Sequence, residues 1–170
     1  MQMLLYLYAL IKNGQDLIKA NRPTAVLYFP AKREFSNTQS DYIKMHGIVL
    51  EDPEIVKQME PDGRGKIAPV TLYPNGESFY KSDSLISEEA FGLLFRYLEL
   101  LLKRIGNSLT NGDISPEPLN HNDKLQCEFC DYRSICRTDV YKNSRESTDC
   151  KRDEALEIIS KELGEAENGN

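Results

Sequence analysis

The sequence predicts an α/β fold, a sheet flanked by helices, with a cysteine knuckle near its C-terminal end. Three observations predict it. Phe91, Leu94, Phe95, Leu98, Leu101, Leu102 and Ile105 recur at spacings of three and four, which makes one apolar face of a helix about five turns long. Thr24–Phe29 has the composition of a buried strand between Pro23 and Pro30, and Ala68–Tyr73 and Glu77–Tyr80 flank Pro74-Asn75-Gly76 as a hairpin would. Cys127, Cys130 and Cys136, three of only four cysteines, fall within ten residues in the spacing C-x2-C-x5-C.

Met3 to Ile11 is apolar almost throughout and is stopped by Asn13-Gly14, so it reads as a helix for the interior. Lys32-Arg33 follows the first strand and reads as a solvated pair, and Ser36–Ser40 reads as a loop. After Tyr42–Leu50, Asp52 can cap a short helix with Pro53 at its first position, running to about Met59. Pro61–Gly65 reads as a mobile loop. Ser87 is an N-cap for the long helix, Glu88-Glu89 suits its first turn, and Gly106-Asn107 is expected to end it. A polar connection, Asn107–Asn122, leads to the cysteines. Arg152–Leu163 reads as a helix, and Gly164–Asn170 as a disordered tail.

A length of 170 residues fits one ordinary domain, and 40% hydrophobic with 28% charged residues implies a packed core rather than a disordered chain. A net charge of −6 excludes a generally basic nucleic-acid coat but leaves room for a local contact face. Met3–Ile11 is shorter than the ~20 residues needed to span a bilayer. No positive residue precedes it and no small-x-small cleavage pattern follows, so a cytoplasmic, membrane-free protein is expected. In that reducing setting the clustered thiols suit a soft metal, zinc, copper(I) or an iron–sulfur cluster, better than disulfides.

Three features in this order carry a resemblance. They are Gln2-Met3-Leu4-Leu5-Tyr6, which matches Q-x3-Y; the strand Leu27-Tyr28-Phe29-Pro30 with the hairpin and long helix; and Cys127-x2-Cys130-x5-Cys136 with Tyr132-Arg133-Ser134-Ile135 inside it. The chain resembles the C-terminal part of the RecB-type nuclease domain of the AddB family, the B subunits of bacterial ATP-dependent helicase/deoxyribonucleases. The resemblance covers nearly the whole chain and is most specific through Ile114–Asp139. It implies a partial restriction-endonuclease-like PD-(D/E)XK fold, a mixed sheet flanked by helices. Residues 1–119 would be the nuclease portion, 120–141 the iron–sulfur knuckle, 142–163 a helical extension and 164–170 the tail.

The resemblance also implies a function, Mg²⁺-dependent phosphodiester hydrolysis during the processing of double-strand DNA ends for recombinational repair. The implied partners are DNA, the A subunit of the helicase–nuclease heterodimer and the upstream remainder of the same polypeptide. Gln2 and Tyr6 would stand beside the metal on one face of the first helix, the amide orienting a water or phosphate. Cys127, Cys130 and Cys136 would be three ligands of a [4Fe–4S] cluster whose fourth cysteine lies outside this chain. Family members place an aspartate and a D/E-x-K strand before Q-x3-Y. This chain begins after them and is expected to be a truncated piece, inactive alone. Its D-x-K match, Asp149-Cys150-Lys151, lies in a polar segment without a strand pattern, and Cys150 is not expected to be a ligand. The alternative is a small zinc or iron–sulfur module that binds DNA or protein without catalysis, using all four cysteines.

Overall fold

The computed structural model describes residues 2–14, 19, 21–31, 44–113, 115–136, 144–147 and 149–168. The Lys32-Arg33 pair and the loop expected at Ser36–Ser40 lie outside them. The elements in chain order are helix α1 (Gln2–Asn13), strands β1 (Ala25–Tyr28) and β2 (His46–Leu50), helix α2 (Pro53–Met59), strand β3 (Leu85–Ile86) and helix α3 (Glu88–Thr110). Strands β4 (Leu119–His121) and β5 (Lys124–Leu125) follow, then a one-turn 3-10 helix (Gln126–Phe129), helix α4 (Arg133–Cys136), strand β6 (Arg145–Ser147) and helix α5 (Arg152–Asn168).

Two small mixed sheets result. In the first, β2 lies in the middle, antiparallel to β1 and parallel to β3. Its side chains alternate between faces, as a strand requires. Val49 joins Val56, Ala68, Val70, Leu72 and Leu85 on one face. Leu50 joins Ile86 and Phe91 on the other, with Ile48, Leu7 and Leu94 packed around them. Gly47 is required here: its φ is +142°, and a Cβ there would collide with the Val26 carbonyl of β1. In the second sheet, β4 pairs antiparallel with β5 and parallel with β6. The knuckle segment therefore shares a sheet with a strand drawn from beyond residue 141.

The capping residues act as their chemistry predicts. The Asp52 carboxylate accepts from Glu54 N at 3.1 Å with Pro53 in the first turn, and Ser87 Oγ accepts from Ala90 N at 3.2 Å. Arg22 bridges both helix starts, reaching Asp52 at 2.9 Å and Glu88 at 3.0 Å. Helix α3 runs through Gly106 to Thr110. A helical glycine costs only about 1 kcal/mol, and the stop falls at Gly112, whose φ of +72° turns the chain out of the helix. Helix α5 packs on α3 with Leu98 and Leu163 buried, and Glu162 takes bonds from Tyr97 at 3.3 Å and Arg104 at 2.7 Å.

Several expectations need correction. Helix α1 has no buried residue, and Met3, Tyr6 and Leu10 are exposed, because its neighbours cover only one face. Strand β1 buries only Val26 and leaves Tyr28 and Phe29 at the surface, since β2 is its only partner among the described residues. The hairpin is present, with Tyr73 N donating to Ser78 O, Tyr80 N to Thr71 O and a Leu72–Phe79 bridge. Its corner is Pro74-Asn75, closed by Gly76 N on Tyr73 O, rather than Asn-Gly at the two central positions. Pro69 and Pro74 lack the N–H groups a longer ladder needs, so the hairpin joins neither sheet. The predicted disordered tail is helical through Asn168. Glu165 and Ala166 are good helix formers, and Glu167 pairs with Arg96 at 3.7 Å.

The loop at 61–65 is organised rather than loose. The carboxylate of Glu60 is buried and accepts from the backbone N–H groups of Lys66 (2.9 Å), Ile67 (3.0 Å) and Ala68 (3.1 Å). Burial alone would raise its pKa, but the three amides and the Lys66 charge outweigh that and hold it below the ordinary glutamate value. Gly63 and Gly65, both at positive φ, let the backbone wrap that closely. A depressed folded pKa means the contribution is complete above the unfolded value of ~4.3 and is lost as pH falls through the folded value. Glu60→Gln should destabilise the fold by about 2 kcal/mol at pH 7. Urea unfolding at pH 7 and pH 4 should show that the gap between wild type and variant narrows in acid.

Candidate functional site

Helix α1 presents two chemically different faces. On the exposed one, Gln2 and Tyr6 are four residues apart, one helical turn, and Gln2 Nε2 donates to Tyr6 Oη at 2.7 Å. The sequence-predicted pair is therefore brought together, with a carboxamide and a phenol side by side at the surface. The opposite face is tied to α3. Tyr8 Oη donates to Glu99 Oε1 at 2.6 Å, the Tyr8 ring meets Phe95 edge-on at 5.5 Å, and Lys12 Nζ lies 3.0 Å from the same Glu99 oxygen. The Tyr8 hydrogen bond, then Lys12, holds the Glu99 carboxyl below its ordinary range, and the bond to Glu99 raises the Tyr8 phenol.

Sequence reading missed this Tyr8–Glu99–Lys12 seam. The signal was half present: Tyr8 and Lys12 sit at i and i+4, but their partner is 91 residues from Tyr8. The seam fixes the roll of α1 about its axis and so keeps Gln2 and Tyr6 facing outward. No acidic residue occurs in the first fifteen positions. Glu99, the carboxylate bonded to the helix, already serves Tyr8 and Lys12.

The cysteine segment begins with the β4–β5 hairpin, whose corner residues Asn122 and Asp123 have φ of 51° and 60°. Cys127 lies in the 3-10 turn and Cys130 just after it, with Cys130 N donating to Cys127 O at 3.3 Å. A 3-10 helix repeats every three residues, so C-x-x-C suits two thiols on one side of such a turn. Arg133 N then donates to Cys130 O, and Cys136 ends α4 with its N–H on Tyr132 O at 2.9 Å. Cys127 is half-buried; Cys130 and Cys136 are exposed. Phe129, Tyr132 and Ile135 are 91%, 72% and 76% exposed, so the segment buries little beyond Leu125. Among the described residues no three Cys, His, Asp or Glu side chains are gathered closely enough to hold a metal ion. The donor chemistry fits a soft metal or an iron–sulfur cluster: three thiols within ten residues, two of them one tight turn apart.

Behind the knuckle lies a polar knot that sequence reading also missed. His121 Nδ1 is 2.9 Å from Ser147 Oγ, its Nε2 is 3.4 Å from Asp149, and Asn120 donates to both Glu146 carboxylate oxygens at 2.9 and 3.0 Å. Asp149-Cys150-Lys151 lies between β6 and α5, not on a strand, with Asp149 and Cys150 exposed.

Comparison with known proteins bears on these features together. Residues 1–137 match the model of the PD-(D/E)XK nuclease superfamily. The B subunit of the ATP-dependent helicase/deoxyribonuclease of Desulforamulus reducens is 31% identical over 154 aligned positions, 82% of this chain and 13% of that protein. The corresponding B subunits of Bacillus thuringiensis and Clostridium perfringens are 31% and 29% identical, over 96% and 100% of this chain. The chain spans 16% of the length of each of these two. Because the family match takes in α1 with its Gln2–Tyr6 pair, the mixed sheet, the long helix and all three clustered cysteines, the chain belongs to the PD-(D/E)XK nuclease superfamily.

Proposed function

We propose that this chain forms part of the nuclease domain of a helicase–nuclease that processes double-strand DNA ends for recombinational repair. It would work with the A subunit of that helicase–nuclease. The observation that carries the reading is the Gln2–Tyr6 pair on the exposed face of α1, within a chain of this superfamily. In that role the Gln2 amide donates to a phosphate oxygen or to the attacking water, and Tyr6 holds the amide plane. The Tyr8–Glu99–Lys12 seam keeps both aligned from the opposite face. A bound Mg²⁺ would supply the activated water and offset phosphate charge, and it needs oxygen ligands. Carboxylates for that ion are not found beside Gln2 and Tyr6 in the first fifteen residues, so the reading gives this stretch a positioning part. Cys127, Cys130 and Cys136 would hold an iron–sulfur cluster with one further thiolate, and Cys150 would take no part. No described helix is long and apolar enough to cross a membrane, and the reading places the protein in the cytoplasm.

A second reading rests on the polar second sheet. Asp149, next to Cys150, lies against His121 of β4, the strand that leads into the cysteine segment, and a local zinc or iron–sulfur module without catalysis would draw on Cys150 as its fourth thiol. The two readings separate on the metal. With this chain set in place of its matched segment in the full-length Bacillus thuringiensis protein and reconstituted anaerobically with iron and sulfide, Cys130→Ser should lose at least half of the bound iron, whereas Cys150→Ser should keep wild-type iron and the same visible absorption. Loss on Cys150→Ser favours the local module.

The nuclease reading is tested by exchange. With this chain in place of its matched segment in the Bacillus thuringiensis protein, co-expressed with that protein's own helicase–nuclease partner, Mg²⁺-dependent degradation of linear duplex DNA should persist. Gln2→Ala should then lower it roughly 10- to 1,000-fold. The 170-residue chain alone should be inactive; robust cleavage by it, abolished by changing one of its own acids, would place the site elsewhere.

A further inference from the structure

The cysteine segment carries chemistry that needs no metal. Cys127 and Cys130 are the two ends of one tight turn. The chain passes through Glu128 and Phe129 in 3-10 conformation, Cys130 leaves it with φ of −84° and ψ of 122°, and Cys130 N donates to Cys127 O at 3.3 Å. Three residues of 3-10 rise amount to about 6 Å and return the fourth residue to the side of the first. A disulfide spans Cα separations of roughly 4.4–6.8 Å, so this backbone holds the two cysteines at the separation a bridge needs.

Exposure divides the roles of the two thiols. Cys127 is half-buried, behind the buried Leu125, while Cys130 is exposed and follows Phe129, itself 91% exposed. Cys130 is thus the sulfur that a solution reagent meets first. Cys136 lies a further turn away, with Arg133 N on Cys130 O and its own N–H on Tyr132 O. Only two residues separate Cys127 from Cys130, so a bridge between them closes a very small loop and constrains the unfolded chain little. An exposed bridge of that kind is labile and cycles, whereas structural staples are buried and resist reduction.

We propose that Cys127 and Cys130 form a reversible disulfide in the metal-free protein, and that this bridge withholds both sulfurs from a metal until it is reduced. The reagent is a low-molecular-weight disulfide. The Cys130 thiolate attacks one of its sulfurs, forming a mixed disulfide and releasing the other half as a thiol. The Cys127 thiolate then attacks the Cys130 sulfur, closes the bridge and releases the second half. Two cysteine thiols are oxidised, one disulfide is reduced, and the two cysteine protons end on the released thiols. Metal ligation needs thiolates, which a closed bridge does not offer. The withholding rests on the cluster reading above; the bridge itself does not.

For the test, the metal-free 170-residue chain is equilibrated without oxygen in mixtures of oxidised and reduced glutathione, alkylated, and cut after Glu128 and Arg133. Those cuts place Cys127, Cys130 and Cys136 on three peptides, so mass spectrometry reads a bridge as the pair it joins. Cys127 linked to Cys130 is expected, in the same yield from Cys136→Ser/Cys150→Ser, and favoured about tenfold more in the folded chain than in urea. In the full-length Bacillus thuringiensis protein carrying this chain, the oxidised form should take up less than about half the iron of the reduced form, and a phosphine reductant should restore it. A bridge from Cys127 to Cys136, no bridge in the folded chain, a bridge no more stable than in urea, or equal iron uptake by the oxidised and reduced proteins overturns this inference alone. Failure of the reduced protein to take up any iron removes the cluster reading, and the withholding with it.

Discussion

Burial of β2 on both faces is the constraint from which the rest follows. Val49 packs under the α2 and hairpin side, while Ile48 and Leu50 pack under Phe91 and Leu94 of α3. Three consecutive apolar residues on a central strand cannot all be satisfied by one layer, so two layers must form around them. Gly47 permits the close pass of β1 at the start of that strand, and Glu60 closes the loop that carries Ala68 and Val70 into the first layer. Helix α1 is joined to this arrangement through Leu7 and the seam to Glu99, and Gln2 and Tyr6 stay at the surface on its outer side.

The two ends of the chain are held by different physics. Around β2 the fold depends on apolar burial, with Val49, Val56 and Phe91 fully enclosed. Around β4 it depends on polar pairing: Asn120 with Glu146, and His121 with Ser147 and Asp149. Exposed polar pairs contribute little each, and the cysteine segment adds exposed aromatic and aliphatic side chains rather than burying them. A site of this kind gains most from a bound metal, because ligation supplies the folding energy that a small core lacks. The knuckle's chemistry and its thin packing point in the same direction.

Sequence was most legible where a local rule sufficed. Asp52 and Ser87 cap their helices as side-chain oxygens next to free amides must, and the predicted stripe lies toward the core from Phe91 to Leu98, whereas Leu102 and Ile105 at its end are exposed. The Gln2–Tyr6 pair was legible for the same reason, since one helical turn joins them. It was least legible where the answer depended on a distant partner. Nothing local says that Tyr8 meets Glu99, that β6 returns to β4, or that Glu60 turns inward to meet three amides ahead of it. The end of α3 illustrates a competition: Gly106 disfavours helix, but only Gly112 adopts the positive φ that ends one.

Strand β2 anchors the fold, and α1 is fastened to it along one face with its outward side exposed. Native-state hydrogen exchange on this chain tests that most directly. The slowest amides should be those of Val49, Leu50 and Glu51, which donate to Ser84, Thr24 and Ile86, with α1 amides exchanging orders of magnitude faster through local opening. Protection of α1 equal to that of β2 would place the helix inside the same cooperative core and overturn this picture.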